Sequence, residues 1–160
     1  AGSDPERTWE IHGNIARFRC AAECHMATWP APEALRVFGR GDRIEAADRP
    51  HLRCPRCDGL ARPHVLWFDE YYDEARYRWQ SSLQAAQAAD LLLVVGTSGA
   101  TNLPLSMAHE ALDSGARIID INPKRNIFST LAERSGGAHL AGPAGAHLPA
   151  MVDAALAAQP

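Results

Sequence analysis

Two largely apolar runs, residues 91–95 and 117–121, dominate the pattern in the second half of the chain. Neither alternates strictly between apolar and polar positions, which is typical of strands covered on both faces in a parallel sheet. Between them, residues 103–112 have the apolar spacing of a helix, with Pro104 tolerated in its first turn and Gly115 as its stop. The pattern therefore predicts a strand–helix–strand unit with a right-handed crossover.

The same alternation continues on both sides of this unit. It predicts a helix over residues 127–134, a short strand over 138–140 and a last helix over 148–158. Upstream, residues 77–89 fit a helix that leads into the first strand. The expected fold class is α/β, as part of a doubly wound parallel Rossmann-like sheet.

Residues 1–60 have a different character, because they are rich in Arg, His, Pro and Cys and contain few long apolar runs. The 160 residues, 46% of them hydrophobic, suit one medium domain or a domain with a small appended module. A net charge of −3 lacks the basic excess of a nucleic-acid surface. No apolar run reaches the roughly 18–20 residues of a membrane span. We expect neither nucleic acid nor a membrane as a partner.

Four cysteines occur in two close pairs, Cys20 with Cys24 and Cys54 with Cys57. Spacings of three and two intervening residues let two sulfurs from one turn face one ion, and two such turns complete a tetrahedron. Because sulfur fills all four positions, no site remains for water. The pattern predicts a structural, non-catalytic Zn²⁺ site and, without an export signal, reduced thiols in the cytoplasm.

The same four cysteines are compatible with buried thiols or with a redox Cys-Pro-Arg-Cys pair, although a redox pair needs no second pair upstream. His25 adjoins Cys24 and could compete as a ligand. Arg19, Arg53 and Arg56 could offset the negative charge of four thiolates, or could simply be solvated surface residues.

A candidate nucleotide site follows the two predicted strands. Gly96, Thr97 and Ser98 follow the first strand, and Asn122 follows the second. Ligands of open α/β sheets bind at this carboxyl edge, where glycine permits close approach and a helix N-terminus favours an anion. For Gly-Thr-Ser alone, the alternative is an ordinary strand-to-helix turn with a capping serine.

Several short motifs occur in the order that they have in the sirtuin family, and together they cover nearly the whole chain. In order, they are WEIHGN (9–14), the two cysteine pairs, CPRCDGLARPHVLWFDE (54–70), VVGTS (94–98), IN (121–122) and GPA (142–144). The chain resembles the C-terminal portion of a sirtuin. The resemblance implies an NAD-dependent protein-lysine deacylase, which transfers the acyl group of its substrate to ADP-ribose and releases nicotinamide.

The resemblance also implies roles for single residues. His12 would be the base that accepts a proton from the NAD ribose, with His64 as the nearest rival, and zinc would take no direct part. The residues implied in cofactor binding are Gly96, Thr97, Ser98, Asn122 and Ala144.

Residues 65–70 resemble the family's loop that binds the acyl-lysine peptide as an added strand. Val65, Trp67 and Phe68 would line the tunnel for the lysine stem. Asp69 departs from the family pattern, which has glycine there, and could favour a basic substrate. The aromatic run that follows, residues 71–77, is predicted to be a helix face against the core.

The expected organisation is a catalytic-His segment (1–14), a zinc-binding module (15–62) and the second half of the Rossmann-like domain (63–160). The family's glycine-rich strand–turn and its Gln-Asn-x-Asp segment have no counterpart. We therefore expect this chain alone to be inactive and to require the N-terminal half, in cis or as a partner chain. The alternatives are a zinc-stabilised binding module without catalysis and a different zinc-ribbon nucleotide enzyme.

Overall fold

An antiparallel sheet and a parallel sheet organise residues 4–158, the part of the chain that this computed structural model describes. They belong to two units, of which the first ends at Tyr77 and the second begins at Arg78. No helix in the described range has both the length and the apolar character to cross a membrane.

The first unit contains a three-stranded sheet in the order β2-β1-β3. Its strands are β1 (Gly13–Cys20), β2 (Trp29–Pro30) and β3 (Ala61–Val65), and helix α1 (Glu74–Tyr77) follows them. Because β3 is antiparallel to β1, Val65 pairs with Gly13 at one end and Ala61 with Cys20 at the other. The sheet therefore links the surroundings of His12 to the first cysteine.

The hydrophobic pattern does not predict β1. Its core aromatic residue, Phe18, lies between two arginines, and the pairing with β3 shifts register between Asn14 and Phe18. Arg19 is only 5% exposed and is held by ion pairs, so it occupies a position where a pattern would require an apolar residue.

The second unit is a parallel sheet in the order β4-β5-β6, with helices between its strands. Its elements are α2 (Trp79–Gln87), β4 (Leu91–Val95), α3 (Asn102–Asp113), β5 (Arg117–Asn122), α4 (Ile127–Arg134), β6 (Ala138–Ala141) and α5 (Ala144–Ala157). Val94 and Ile118 of the sheet pack with Ala108 of α3 and with Phe128 and Leu131 of α4. The α/β fold class is thereby confirmed.

The predicted bounds of β4 and α4 agree with the structure, and those of α3, β5 and β6 differ by one residue at one or both ends. Two other helices differ more. The helix predicted over residues 77–89 is interrupted at Arg78, whose φ of 55° is left-handed and separates α1 from α2. The last helix begins at Ala144 rather than at residue 148, and Pro149 lies inside it. Pro149 removes one amide donor, but the alanine-rich flanks keep the turn helical.

Candidate functional site

The four cysteine sulfurs converge on one point in the first unit, and each lies within 4.8 Å of the other three. The Sγ atoms of Cys20 and Cys57 are 3.7 Å apart, as are those of Cys24 and Cys54. A tetrahedron with Zn–S bonds of roughly 2.3 Å has sulfur–sulfur edges of about 3.8 Å. The cluster therefore has the dimensions of a closed four-thiolate zinc site.

The second cysteine pair is held by a tight turn. The Cys54 amide donates to the Gly59 carbonyl at 2.8 Å, and the Asp58 amide donates to the Cys54 carbonyl at 2.9 Å. A Cβ on Gly59 would stand 3.2 Å from the Cys57 sulfur. Glycine therefore leaves room for that sulfur to turn toward the cluster.

The thiols of the cluster differ in proton affinity. The Cys24 amide, by hydrogen bonding, lowers the pKa of Cys20 to about 7. Loss of water around the Cys24 sulfur, together with the neighbouring sulfurs, raises the pKa of Cys24 to about 12, although the residue as a whole is exposed. Four sulfurs at this spacing cannot all be thiolates without a cation, so the donor set fits a divalent metal that displaces their protons.

His25 and the nearby arginines do not join the tetrad. His25 Nε2 lies 3.4 Å from the Cys54 sulfur, but His25 is not in the group of ligand atoms that all lie within 4.8 Å of one another. Arg19 is paired with Glu23 and Glu70, and Arg53 donates to the Asp58 carbonyl. None of these contacts directs a guanidinium at sulfur.

His12 lies immediately before β1, at the end where β1 and β3 approach each other closely. The Leu66 amide donates to the His12 carbonyl at 3.0 Å. Gly13 has a φ of +83°, and a Cβ there would stand 2.0 Å from the His64 carbonyl oxygen. The glycine after His12 is therefore required by the backbone of β3, which fixes where the His12 side chain leaves the strand.

The two candidate bases have opposite surroundings. His12 is exposed, whereas His64 is 9% exposed and stacks on Tyr77 with ring centroids 5.6 Å apart. Burial lowers the pKa of His64, and among the described residues its Nδ1 has no hydrogen-bond partner. Only His12 of this pair can meet a ligand that arrives from solvent.

Residues 65–70 present their aromatic side chains outward. Val65 ends β3 half-buried, while Trp67 is 50% exposed and Phe68 fully exposed. The Arg62 guanidinium lies over the Trp67 ring, 3.6 Å from its centroid. Asp69 is exposed as well, so this loop offers two aromatic rings and one carboxylate to a partner.

Glu70 fixes the end of this loop, a role that no sequence pattern indicates. Its carboxylate accepts from Arg62, from Arg19 at 2.9 Å and from the Trp67 amide at 2.9 Å. The paired Arg62 guanidinium and these N–H groups lower the pKa of Glu70 to about 2. Because Arg19 precedes the first cysteine, this carboxylate ties the loop to the cysteine cluster.

The predicted nucleotide residues of the second unit meet at the carboxyl edge of the sheet. Gly96 has a φ of 66°, and its amide donates to the Ile121 carbonyl at 3.0 Å. Asn122 Nδ2 donates to the Thr97 carbonyl at 2.8 Å, and Asn126 Nδ2 donates to the same oxygen at 3.3 Å. The Asn122 amide thus holds the turn after β4.

Ser98 is exposed in that turn. α3 begins at Asn102 with Thr101 as its N-cap residue, so neither Thr97 nor Ser98 lies at the helix N-terminus, and Ser98 is not its capping serine. Gly99, at a φ of 76°, continues the loop. Ala144 is the first residue of α5, and the Gly142 amide just before it donates to the Asn122 carbonyl at 3.3 Å. The edge therefore brings together the turns after all three strands.

A cluster of buried polar side chains is linked by hydrogen bonds to the carboxyl edge of the parallel sheet. No sequence pattern indicates this cluster. Asp120 is fully buried, and its Oδ2 accepts from Ser129 Oγ at 2.6 Å and lies 2.9 Å from His139 Nδ1. Ser129 Oγ also accepts from the Asn126 amide, which completes the capping box of α4. Asn126 in turn reaches Thr97, so the cluster connects to the turn after β4.

Comparison with known proteins places these features in a family. The sequence model of the Sir2 family matches residues 1–102. An NAD-dependent protein deacylase of Leptospira interrogans is 40% identical over 131 residues, which are 81% of this chain and 46% of that protein. Another, of Pseudomonas putida, is 34% identical over 154 residues, which are 96% of this chain and 53% of that protein.

Solved structures agree with the sequence matches. A mutant Sir2 homologue in complex with ADP-ribose is 25% identical, with a TM-score of 0.73 over 95% of this chain and 55% of that chain. The chain spans about half the length of the curated relatives it matches.

Proposed function

The chain belongs to the Sir2 family, and on that premise we propose that it forms part of an NAD-dependent protein-lysine deacylase. The observation that carries the proposal is the arrangement of the first unit. There, one pair of antiparallel strands joins an exposed histidine, a four-cysteine cluster and an exposed aromatic loop. The histidine can act as a base and the loop can meet a peptide, while the cysteine cluster would stabilise the ends of the strands that carry them.

His12 is the proposed general base. NAD, when bound, supplies the ADP-ribose that receives the acyl group, and nicotinamide leaves. His12 would hold the proton from a ribose hydroxyl at an imidazole nitrogen, because a neutral imidazole can accept a proton and this side chain is exposed. His64 is excluded from this role by its burial against Tyr77.

The carboxyl edge of the parallel sheet is the proposed contribution to NAD binding. Apart from Gly96 and its two chain neighbours, no described residue has a heavy atom within 4 Å of the place where a Cβ of Gly96 would stand, so a cofactor can approach the backbone there. Thr97, Ser98, Asn122 and Ala144 border the same edge. A relative with bound ADP-ribose shares this fold, which supports the assignment.

The cysteine tetrad, Cys20, Cys24, Cys54 and Cys57, is proposed to hold a structural Zn²⁺. Its four sulfurs have tetrahedral spacing and complete the coordination shell. The metal would stabilise the turn around Cys54 and the end of β1, and it would leave the chemistry to other residues.

The loop over residues 65–70 is proposed to bind the acyl-lysine peptide, with Val65, Trp67 and Phe68 along the lysine stem. Glu70 is neutralised by Arg62 and Arg19, so the exposed Asp69 is the carboxylate left to meet a ligand. We expect peptides with a basic residue beside the acyl-lysine to be preferred. Loss of that preference in Asp69→Asn, measured with matched basic and neutral peptides, tests the assignment.

The experiment that tests the function is an assay of the longer protein that contains this chain, with NAD and an acetyl-lysine peptide. Nicotinamide release and the mass of the peptide are followed together. His12→Ala should reduce turnover by roughly 10²–10⁴-fold, the usual contribution of a general base. The matched control is His109→Ala, an exposed histidine on α3, which should keep full activity.

Two results would count against the proposal. Unchanged turnover in His12→Ala removes this residue as the base. Peptide binding without nicotinamide release in the unmodified protein favours the zinc-stabilised binding module.

A further inference from the structure

Four aromatic rings of the first unit form a continuous series from His12 to His64. The His12 ring meets Tyr72 edge-to-face, with centroids 5.9 Å apart and planes at 65°. Tyr72 meets Tyr77 at 6.3 Å and 85°, and Tyr77 stacks on His64 at 5.6 Å and 7°. All three separations lie within the range of favourable aromatic pairs.

The two inner rings of the series, those of Tyr77 and His64, are buried, and the two outer rings are not. Tyr77 is 2% exposed and His64 is 9% exposed, Tyr72 is half-buried, and His12 is exposed. The series therefore has a fixed end in the core and an exposed end at the His12 ring. Such aromatic contacts favour one orientation of an exposed side chain over its other rotamers.

The backbone of β3 fixes the two ends of the series relative to each other. The His64 carbonyl lies against Gly13, and the Leu66 amide donates to the His12 carbonyl at 3.0 Å. His12 is thus located by β3 through its backbone and by Tyr72 through its ring. The helix face that the sequence pattern predicts for residues 71–77 is wrong for its first three residues, because α1 begins at Glu74 and Tyr71 is 91% exposed. A helix face therefore accounts for Tyr77 but not for the contact of Tyr72 with His12.

We propose that Tyr72 is the positioning residue of His12: its ring, anchored through Tyr77 and His64, holds the imidazole in the orientation needed for proton transfer. The inference rests on the proposed function, because it assumes that His12 is the base. It predicts that Tyr72→Phe, which keeps the aromatic ring, retains the orientation of the His12 ring. The conservative variant Tyr72→Phe is therefore the rescue, and Tyr72→Leu removes the contact.

The first experiment does not depend on deacylase activity. Nuclear Overhauser contacts between the His12 and Tyr72 rings are measured by NMR on the whole 160-residue chain. Wild type and Tyr72→Phe should show the contacts and one His12 rotamer, whereas Tyr72→Leu should show averaged rotamers. Tyr71→Leu is the matched control, since Tyr71 is 91% exposed and adjacent in sequence. Averaged His12 rotamers in the wild type would overturn the proposal.

The second experiment measures kcat and KM in the deacylase assay of the longer protein. Tyr72→Leu should lower kcat about 10-fold, a part of the roughly 10²–10⁴-fold that a base supplies, with KM for the peptide unchanged. Tyr72→Phe and Tyr71→Leu should retain wild-type kcat. An unchanged kcat in Tyr72→Leu contradicts the proposal. If Tyr72→Leu does not fold, a tenfold loss of kcat in Tyr72→Phe contradicts it instead. A wild type without turnover instead refutes the proposed function, while the NMR result still stands.

Discussion

Glu70 is the single residue on which most of the order in the 65–70 loop depends. Arg62, Arg19 and the Trp67 amide all donate to its carboxylate, which is only about a quarter exposed (26%). A protonated Glu70 would lose both ion pairs, and the loop would lose its attachment to β1 and β3. The charge state of this one group should therefore govern the stability of the first unit in acid.

The pH dependence of unfolding tests this role. The pKa of Glu70 is about 2 in the folded chain, against an ordinary value of 4.5. Because the folded pKa is lowered, its stabilisation is fully present above pH 4.5 and is lost as pH falls from there toward 2. We expect urea unfolding, followed by the fluorescence of the first unit, to show a loss of about 1–3 kcal/mol over that interval.

Glu70→Gln should remove this part of the pH dependence and should be less stable at neutral pH. Glu33→Gln, an exposed carboxylate of the same unit, is the control and should behave as wild type. The same slope below pH 4.5 in Glu70→Gln and in wild type would contradict the assignment.

Single residues also show which features a sequence can predict. The cysteine tetrad follows from spacing alone, because the covalent chain limits where four sulfurs can meet. The glycine at position 13 is part of the motif that the sequence shows. The structure explains why glycine is needed there, because the His64 carbonyl lies where a Cβ would stand. The role of Glu70 could not be predicted, since its ion-pair partners are 8 and 51 residues away and no local pattern links them.

At the scale of elements, the zinc module is the part least able to fold by burial alone. Between β2 and β3 the chain consists mainly of turns, with one 3-10 turn at Arg49–His51. Binding energy of a structural metal is folding energy in such a module. We expect about one Zn²⁺ per chain by metal analysis. A chelator should raise amide hydrogen exchange across residues 15–60 while β4–β6 stay protected.

A pair of variants separates ligands from neighbours. Cys57→Ser should lose the metal, whereas His25→Gln should retain it, because His25 lies beside Cys54 without completing the tetrad. Loss of zinc in His25→Gln with retention in Cys57→Ser would show that the ligand set is wrong. Hydrogen exchange that ignored the chelator would show that the metal is not structural.

The junction of β5, α4 and β6 provides a second prediction at this scale. Ser129 Oγ donates to the buried Asp120 carboxylate and accepts from the Asn126 amide. Ser129→Ala removes both bonds, and Asp120 Oδ1 already has no partner among the described residues. We expect a loss of about 2–3 kcal/mol in the free energy of unfolding of the second unit.

Thr130→Ala, an exposed position in the same helix, is the control and should change stability by less than about 0.5 kcal/mol. Chemical denaturation of wild type and both variants decides the matter. Equal stability of Ser129→Ala and wild type would mean that water replaces both hydrogen bonds, and the cluster would then have no role in holding the turn after β4.

The parallel strands and most of the helices between them were predictable because each is encoded by the residues of its own segment. Continuous apolar runs such as Leu91–Val95 occur where both faces of a strand are covered, and capping and stop residues delimit the helices. β1 was not predictable, since it buries Arg19 through ion pairs and pairs with β3, which lies far along the chain. The left-handed Arg78 was missed for a related reason, as nothing in its neighbourhood signals a break.

At the scale of the whole molecule, β4 has a face that the described residues do not cover. Leu91, Leu93 and Val95 alternate along the strand and are 49%, 41% and 40% exposed. Apolar runs of this kind belong to strands buried on both faces, so this face is suited to a partner that the described residues do not supply. We propose that the N-terminal half, in cis or as a separate chain, packs against this face.

Complementation tests that proposal. The isolated 160-residue chain should release no nicotinamide from NAD, and addition of the N-terminal half as a separate polypeptide should restore release with an acetyl-lysine peptide present. Leu93→Asp places a charge in the centre of the proposed contact and should abolish restoration, because a buried unpaired charge costs several kcal/mol. Val152→Asp changes an exposed apolar residue of α5 and should not affect it. Turnover by the isolated chain would refute the need for a second half. Equal restoration of nicotinamide release in both variants would show that the contact does not involve this face of β4.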